Sequence, residues 1–240
     1  MVCLVLVLPL AACSGDSEER TITVLAAASL TEPFQDLAEQ FEDAHPGVQV
    51  ELAFDSSATL AQQAVEGAPA DVLATADTMT MDSASEALAA EPEVFATNTM
   101  VLVTPAGNPT RITHISDLQA GETTYVVCVE TAPCGKVARE LLATNEITAE
   151  PASLEVDVKA VLAKVASDEA DAGLVYATDA HAAGDAVRTF RVPYASEHAT
   201  SYAIAPLEQS EEPGSAKQFI ELVQSVGGQQ LLSNAEFGQP

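Results

Sequence analysis

Apolar, strand-like runs alternate with amphipathic, helix-like segments along the first part of this chain. Three of the runs, 21–28, 48–54 and 70–74, have the length and apolar character of strands. Between them lie segments of helical periodicity, which open at Thr31 and at Ser57. This alternation predicts an α/β fold, in which a mostly parallel sheet carries helices on both faces and right-handed crossovers join its strands.

A second α/β series follows the breaker Pro105-Ala106-Gly107-Asn108-Pro109. We predict its elements, in order, as strand 123–129, helix 136–143, helix 158–166 and strand 172–176. A last strand-like run, 201–205, and a C-terminal helix around 216–226 are expected to return to the first series.

The two series predict two α/β lobes joined by two hinge crossings. Lobe 1 is expected to comprise residues 21–100 and 204–240, and lobe 2 residues 101–203. Hinge motion is expected near 99–105 and 201–205. Because ligands of open α/β sheets lie off the carboxyl ends of the strands, a binding site is expected at those ends.

The N-terminus has the character of an export signal. Residues 2–12 form an apolar stretch that ends in small residues and is too short to span a bilayer as a helix. The run Leu10-Ala11-Ala12-Cys13, followed at once by polar residues, resembles the lipobox of bacterial lipoproteins. That resemblance implies that 1–12 are removed as a signal peptide, that Cys13 carries lipid, and that 13–20 form a flexible linker.

The protein is then expected to be exported and lipid-anchored to the outer face of the cell membrane through Cys13. Met1 stands alone before the apolar stretch, so the basic residues that usually open an export signal are missing. The alternative is a buried N-terminal strand with an incidental cysteine.

A strong acidic excess limits the classes of partner. The chain has 36 acidic and 9 basic residues, for a formal net charge of -27. Nucleic acid and anionic membrane faces both demand a basic surface, so neither is expected as a partner. Long-range attraction cannot guide an anion to such a surface, so an anionic ligand requires local hydrogen-bond donors.

The four cysteines divide by position. Cys3 leaves with the signal peptide and Cys13 is assigned to lipid, which leaves Cys128 and Cys134 for a disulfide in an oxidising compartment. Five residues separate this pair, so it is not a Cys-x-x-Cys redox motif.

Polar residues at the turns between strands and helices indicate an anion site. Ser29 follows the first strand, Ser57 follows the second, and Cys134 precedes a helix of the second series. The first N–H groups of a helix lack intrahelical partners and carry partial positive charge, so several such turns in one crevice can hold an anion. The alternative for the two serines is plain N-capping. Tyr176, which ends the predicted strand 172–176, is a further candidate, and its alternative is a buried core tyrosine.

Motifs for catalysis are missing from the sequence. It has no Gly-x-Ser-x-Gly elbow, no Walker-type glycine loop and no His-Glu-x-x-His, and its four histidines lack metal-ligand spacing. We therefore expect no enzyme, no cofactor and no metal ligands. A surface serine hydrolase using Ser29 or Ser57 is a distant alternative, since no nearby histidine could act as the base.

Four motifs along the chain resemble the molybdate-binding proteins of ABC importers. They are Ala26-Ala27-Ala28-Ser29-Leu30, Phe54-Asp55-Ser56-Ser57-Ala58-Thr59-Leu60-Ala61, Gly67-Ala68-Pro69-Ala70-Asp71-Val72 and Gly173-Leu174-Val175-Tyr176. The resemblance implies the bilobal periplasmic-binding-protein fold (type II), with molybdate or tungstate held between the lobes. It also implies a monomer that delivers the ion to the membrane permease of an ABC importer.

The resemblance places five residues at the ligand. Ser29 and Ser57 would each give a hydroxyl and a backbone N–H, Cys134 and Val158 a backbone N–H, and Tyr176 its phenolic hydroxyl. Cys134 departs from the family, whose better-known members have alanine there. Asp55 is a second departure, since a small residue is expected, and its carboxylate should point outward or cap a backbone N–H.

A pocket that offers only donors suits fully deprotonated dianions such as molybdate, tungstate or sulfate. Hydrogen phosphate brings a proton that needs an acceptor, so it is disfavoured unless Asp55 turns inward. The alternative function is the same fold binding sulfate or another tetrahedral oxyanion.

Overall fold

The computed structural model describes residues 20–121 and 123–240. The predicted signal peptide, the lipidation at Cys13 and nearly all of the linker therefore lie outside the described residues. Within the described ranges, no helix has the length and apolar character needed to cross a membrane.

Strands and helices alternate through both described ranges. The strands are β1 (Arg20–Ala27), β2 (Val48–Asp55), β3 (Val72–Thr75), β4 (Glu93–Asn98), β5 (Met100–Pro105), β6 (Tyr125–Cys128), β7 (Ser153–Glu155), β8 (Ala172–Tyr176), β9 (Val187–Arg191) and β10 (Thr200–Pro206). The helices are α1 (Thr31–Ala44), α2 (Ser57–Val65), α3 (Thr78–Ser83), α4 (Pro133–Thr144), α5 (Val158–Ala166), α6 (Ala177–Ala183), α7 (Pro213–Gln224) and α8 (Val226–Asn234).

The strands form two five-stranded sheets, one in each lobe. Lobe 1 has the order β2-β1-β3-β10-β4 and lobe 2 the order β7-β6-β8-β5-β9. In each sheet one strand, β10 or β5, runs antiparallel to both neighbours, while the other pairings are parallel. The predicted α/β class with two lobes is confirmed, but each sheet is mixed rather than mostly parallel, with two parallel and two antiparallel pairings.

The chain crosses between the sheets twice. The first crossing is Thr99 alone, between β4 and β5, and the second lies between Arg191 and Thr200. The predicted end of lobe 2 at residue 203 is wrong, because β10 pairs with β3 and β4 of lobe 1. The predicted boundary falls inside a continuous strand, because the apolar pattern does not reveal which sheet a strand joins.

Helix α1 shows how the apolar pattern positions the elements. Its residues Phe34, Leu37 and Phe41 are fully buried, as the helical spacing of these side chains predicts. Phe34 and Phe41 meet the ring of Phe219 in α7 edge to face, with ring centroids 5.9 and 5.6 Å apart. The contact fixes α1 against lobe 1 and thereby fixes the turn that precedes it.

Candidate functional site

A small cavity lies where turns from both lobes meet. Lobe 1 contributes Ser29 and Ser57 to its lining, and lobe 2 contributes Cys134, Val158 and Tyr176. Its volume is about 20 Å³ for the centre of a water-sized sphere, against roughly 10–15 Å³ for a single water. In this conformation the space suits one compact ion.

Ser29 enters the cavity from the end of β1. It lies in a short 3-10 turn, Ala28–Leu30, and is 2% exposed. Its Oγ is 2.7 Å from the hydroxyl of Tyr202 on β10. Because α1 is capped by Leu30 rather than by this serine, the capping alternative is wrong for Ser29.

Ser57 is the first residue of α2, directly after β2. The capping position is occupied by Ser56, so Ser57 is not an N-cap either. Its Oγ accepts a hydrogen bond of 3.0 Å from the backbone N–H of Ala76, which follows β3. Its own N–H belongs to the first turn of the helix and has no intrahelical acceptor.

Cys134 is the second residue of α4, so its N–H also lacks an intrahelical acceptor. A disulfide joins it to Cys128 at the end of β6, with Cα atoms 5.7 Å apart. The turn requires glycine at position 135, because a Cβ there would lie 1.9 Å from the carbonyl oxygen of Val129. Covalent and steric constraints together hold this wall of the cavity.

Val158 is the first residue of α5. The preceding Asp157 caps the helix, since its Oδ1 accepts from the N–H of Ala160 at 2.8 Å. That cap serves the third residue of the helix and leaves the Val158 N–H without an intrahelical acceptor.

Tyr176 ends β8 and is 1% exposed. Its hydroxyl makes no hydrogen bond to any described residue. Burial raises the pKa of Tyr176 well above its ordinary value, with the negative charges of Asp77 and Asp179 adding to the effect. A neutral, unpaired donor therefore lines the cavity, which a satisfied core tyrosine would not provide.

Asp55, the unexpected carboxylate, also lines the cavity. Its Oδ1 accepts a hydrogen bond of 2.6 Å from the N–H of Ser56. Of the two expected orientations, the structure therefore has the one in which the carboxylate caps a backbone N–H.

Ion pairs connect the lobes on either side of the cavity, and the sequence did not predict them. The Nζ of Lys159, next to Val158, lies 2.7 Å from both carboxylate oxygens of Glu32 on α1. The Nζ of Lys136 on α4 lies 3.2 Å from Oδ2 of Asp77, which precedes α3. Both lysines belong to lobe 2 and both acids to lobe 1, so these pairs favour contact between the lobes.

Lys159 also approaches a buried carboxylate. Its Nζ is 3.4 Å from Oδ1 of Asp179 on α6, a residue with no exposed surface. Neither carboxylate oxygen of Asp179 makes a hydrogen bond to a described residue. Burial raises the pKa of Asp179 to about 7, against the opposing effect of the Lys159 charge.

Histidine and metal-ligand clusters are not found at the cavity within the described residues. No histidine of the described residues is among its lining residues. Within the same residues there is no cluster of three or more His, Cys, Asp or Glu side chains that could hold a metal ion. The hydroxyls of Ser29 and Ser57 are bonded to Tyr202 and to the N–H of Ala76, neither of which is a general base.

Comparison with known proteins places the chain among transport proteins. Residues 22–237 match the family model described as bacterial extracellular solute-binding protein. The chain is 43% identical to the molybdate-binding protein ModA of Mycobacterium tuberculosis H37Rv over 223 residues, which cover 92% of this chain and 85% of that protein. It is 35% identical to the molybdate-binding protein ModA of Escherichia coli K12, with 80% and 79% covered.

Solved structures share the fold. The periplasmic molybdate-binding protein of Azotobacter vinelandii matches with a TM-score of 0.81 at 20% identity, over 91% of this chain and 99% of that one. The sulfate-binding protein SubI of M. tuberculosis matches with a TM-score of 0.79 at 18% identity, over 91% and 86%. At these identities the likeness concerns the fold alone, and it confirms the expected bilobal type II fold.

Proposed function

This chain belongs to the family of bacterial extracellular solute-binding proteins, and from that premise we propose that it captures molybdate or tungstate between its lobes for an ABC importer. Relatives at 43% and 35% identity carry the name molybdate-binding protein. Family membership also makes the role one of binding and transport rather than catalysis.

The observation that carries the proposal is the set of donors around the cavity. Backbone N–H groups at the starts of α2, α4 and α5 have no intrahelical acceptor. The Tyr176 hydroxyl adds a neutral donor with no partner in the described residues. Neutral donors bind an oxyanion without the desolvation cost of burying a cation beside it.

Binding and closure are coupled in this proposal. The cavity takes donors from both lobes, so an ion seated there stabilises the closed arrangement over the open one. The Lys159–Glu32 and Lys136–Asp77 pairs add to closure beside the site. A closed, loaded carrier is the form that a membrane permease would recognise.

Titration calorimetry on the purified protein tests the ligand. We expect molybdate and tungstate to bind at micromolar concentration or below, and to compete for one site per chain. Absence of heat with both ions, from protein that melts cooperatively, would contradict the proposal.

Sulfate is the alternative ligand, because the same donors suit any fully deprotonated tetrahedral dianion. The discriminating measurement is a tungstate titration repeated with sulfate in large excess. We expect little competition, and displacement of tungstate by equimolar sulfate would favour the alternative.

We propose that Cys13 anchors the protein, since the Leu10-Ala11-Ala12-Cys13 run has the form of a lipobox. The anchor would keep the carrier close to its importer. Membrane fractions of cells that produce the full chain should contain the protein, and Cys13→Ala should release it. An unchanged distribution of the variant would argue against lipidation.

A further inference from the structure

Behind Ser29, on the side away from the cavity, lies a buried network of side-chain hydrogen bonds. Its members Tyr202 and Asn98 do not line the cavity. Tyr202 and Asn98 are 0% and 2% exposed, and they stand at the two crossings between the lobes. Asn98 ends β4 just before the first crossing, and Tyr202 lies on β10 just after the second. The Tyr202 hydroxyl contacts Ser29 at 2.7 Å and the Nδ2 of Asn98 at 3.4 Å.

The direction of each hydrogen bond follows from the groups involved. The Oδ1 of Asn98 accepts from the backbone N–H of Thr99 at 2.9 Å, which can only donate. Its Nδ2 is therefore the donor, to Thr178 Oγ1 at 2.9 Å and to Tyr202 Oη. Tyr202 accepts from Asn98, and Ser29 Oγ is the one other partner that the described residues give its buried hydroxyl. The Tyr202 hydrogen is therefore donated to Ser29 Oγ.

The consequence appears at the cavity. Ser29 Oγ accepts from Tyr202, so its hydrogen is the one available to a ligand. Ser57 is held in the same way, because its Oγ accepts from the N–H of Ala76. Burial raises the pKa of Tyr202 above its ordinary value, which keeps the tyrosine a neutral donor throughout the useful pH range.

We propose that Asn98 and Tyr202 are positioning residues that lock the Ser29 hydroxyl as a donor and so make the cavity discriminate against oxyanions that carry a proton. This inference rests on the proposed function and deepens it. A hydrogen phosphate or hydrogen arsenate ion needs an acceptor for its proton. With one lone pair engaged by Tyr202, Ser29 directs its own hydrogen at the ligand and so presents a donor there rather than an acceptor. Asn98 also donates a hydrogen bond to Thr178 of lobe 2, so the hydrogen bonds that orient Ser29 extend across the first crossing between the lobes.

The test compares two dianions of equal charge, tungstate and inorganic phosphate, at a pH where phosphate is mostly hydrogen phosphate. In Tyr202→Phe the ring contacts remain, but Ser29 is released and its oxygen can accept. We expect the preference for tungstate over hydrogen phosphate to narrow about ten-fold, the worth of one redirected hydrogen bond. A purely structural role would weaken both ligands alike and leave the ratio unchanged.

Asn98→Asp is a second variant, which keeps the shape of the side chain but reverses the direction of the hydrogen bonds that run through Tyr202 to Ser29. Its carboxylate accepts from Tyr202, so Tyr202 must accept from Ser29, and the Ser29 lone pairs then face the cavity. The added charge repels both dianions equally, so the ratio again isolates the direction of the bonds. Tyr125→Phe is the matched control, because it removes a buried tyrosine hydrogen bond to Ala149 away from the cavity.

The outcomes are separable. A narrowed ratio in Tyr202→Phe or Asn98→Asp, with the ratio of Tyr125→Phe unchanged, supports the inference. An unchanged ratio in both variants overturns it while leaving the proposed function intact. Hydrogen phosphate binding as tight as that of tungstate in the unmodified protein also overturns it, and loss of that binding in Asp55→Asn would identify Asp55 as the acceptor. If neither molybdate nor tungstate binds the unmodified protein, the proposed function fails first.

Discussion

At the scale of single residues, the hydroxyl groups that line the cavity differ in their hydrogen-bond partners. Ser29 is held by Tyr202 and Ser57 by the N–H of Ala76. The hydroxyl of Tyr176 has no hydrogen-bond partner among the described residues. An unpaired buried hydroxyl costs free energy in the empty protein, so its gain on meeting an anion is correspondingly large.

Tyr176→Phe should therefore separate affinity from stability. We expect molybdate binding to weaken by about 1–3 kcal/mol, the range for loss of a hydrogen bond to a charged group. The free energy of unfolding should stay level or rise, because no protein hydrogen bond is lost. Calorimetry and urea unfolding measure the two, with Tyr125→Phe as control. Unchanged affinity would remove Tyr176 from the site.

Asp179 should make stability depend on pH. Burial raises the pKa of its carboxyl to about 7, so between about pH 4 and pH 7 the folded protein holds a proton that the unfolded chain releases. The contribution of that proton to the free energy of unfolding is fully present below about pH 4 and is lost as the pH rises through about 7.

Asp179→Asn removes this titration. Relative to the variant, the unmodified protein should lose stability between about pH 4 and about pH 7 in urea unfolding, by an amount on the order of a few kcal/mol. The exposed Asp82→Asn serves as the matched control. A relative gain in stability toward high pH would show instead that Asp179 is charged and paired with Lys159.

At the scale of elements, the apolar pattern identified the strands that are covered on both faces. The central strands β3, β6 and β8 are buried at every position, and the sequence predicted all three. The strands it missed, β4, β7 and β9, all lie at sheet edges and carry exposed residues. These edge strands are short and partly exposed, so their sequences carry little hydrophobic signal. β2 also lies at an edge, but it is 8 residues long, and the sequence predicts it.

The turn before α4 should depend on its disulfide. The bond between Cys128 and Cys134 closes a short loop, and its reduction should lower the free energy of unfolding by about 2 kcal/mol on the chain-entropy estimate. Urea unfolding with and without reductant measures the difference. The double variant Cys128→Ala/Cys134→Ala should be insensitive to reductant, and an equal response in both proteins would contradict the prediction.

At the scale of the whole molecule, two sheets of matching strand order face one cavity. Each contains one antiparallel strand, β5 or β10, and each of these is the strand that enters the sheet directly after a crossing. The crossings thus lead into the interior of each sheet, where strands are paired on both sides. A hinge motion would be absorbed at Thr99 and between Arg191 and Thr200. The predicted hinge near 201–205 does not fit, because that run lies inside β10.

Closure should respond to the ion pair beside Val158. Glu32→Gln removes the partner of Lys159 in the other lobe and should weaken tungstate binding by at most several-fold, since partly exposed pairs contribute about 0.2–1 kcal/mol. Added salt should weaken tungstate binding by the unmodified protein more than tungstate binding by the variant. Glu221→Gln, which breaks the Lys217–Glu221 pair within α7, is the control. Equal effects of the two variants would exclude a role of Glu32 in closure.

The sequence by itself determined the α/β class, the two lobes and the local signals of turns and helix starts. Its resemblance to a known family also implied Ser29, Ser57, Cys134, Val158 and Tyr176 as ligand residues, and all five line one cavity. These features depend on neighbouring residues, so periodicity, helix starts and local motifs reveal them.

Only the tertiary structure decided which sheet β10 joins, how the edge strands pair, and what stands behind the cavity. Ser29 and Tyr202 are 173 positions apart, and Lys159 and Glu32 are 127 apart. Contacts at such separations arise from the packing of whole elements, and no local pattern encodes them. The direction of the hydrogen bond from Tyr202 to Ser29 therefore depends on tertiary structure, because only the two crossings bring Asn98 and Tyr202 next to the end of β1.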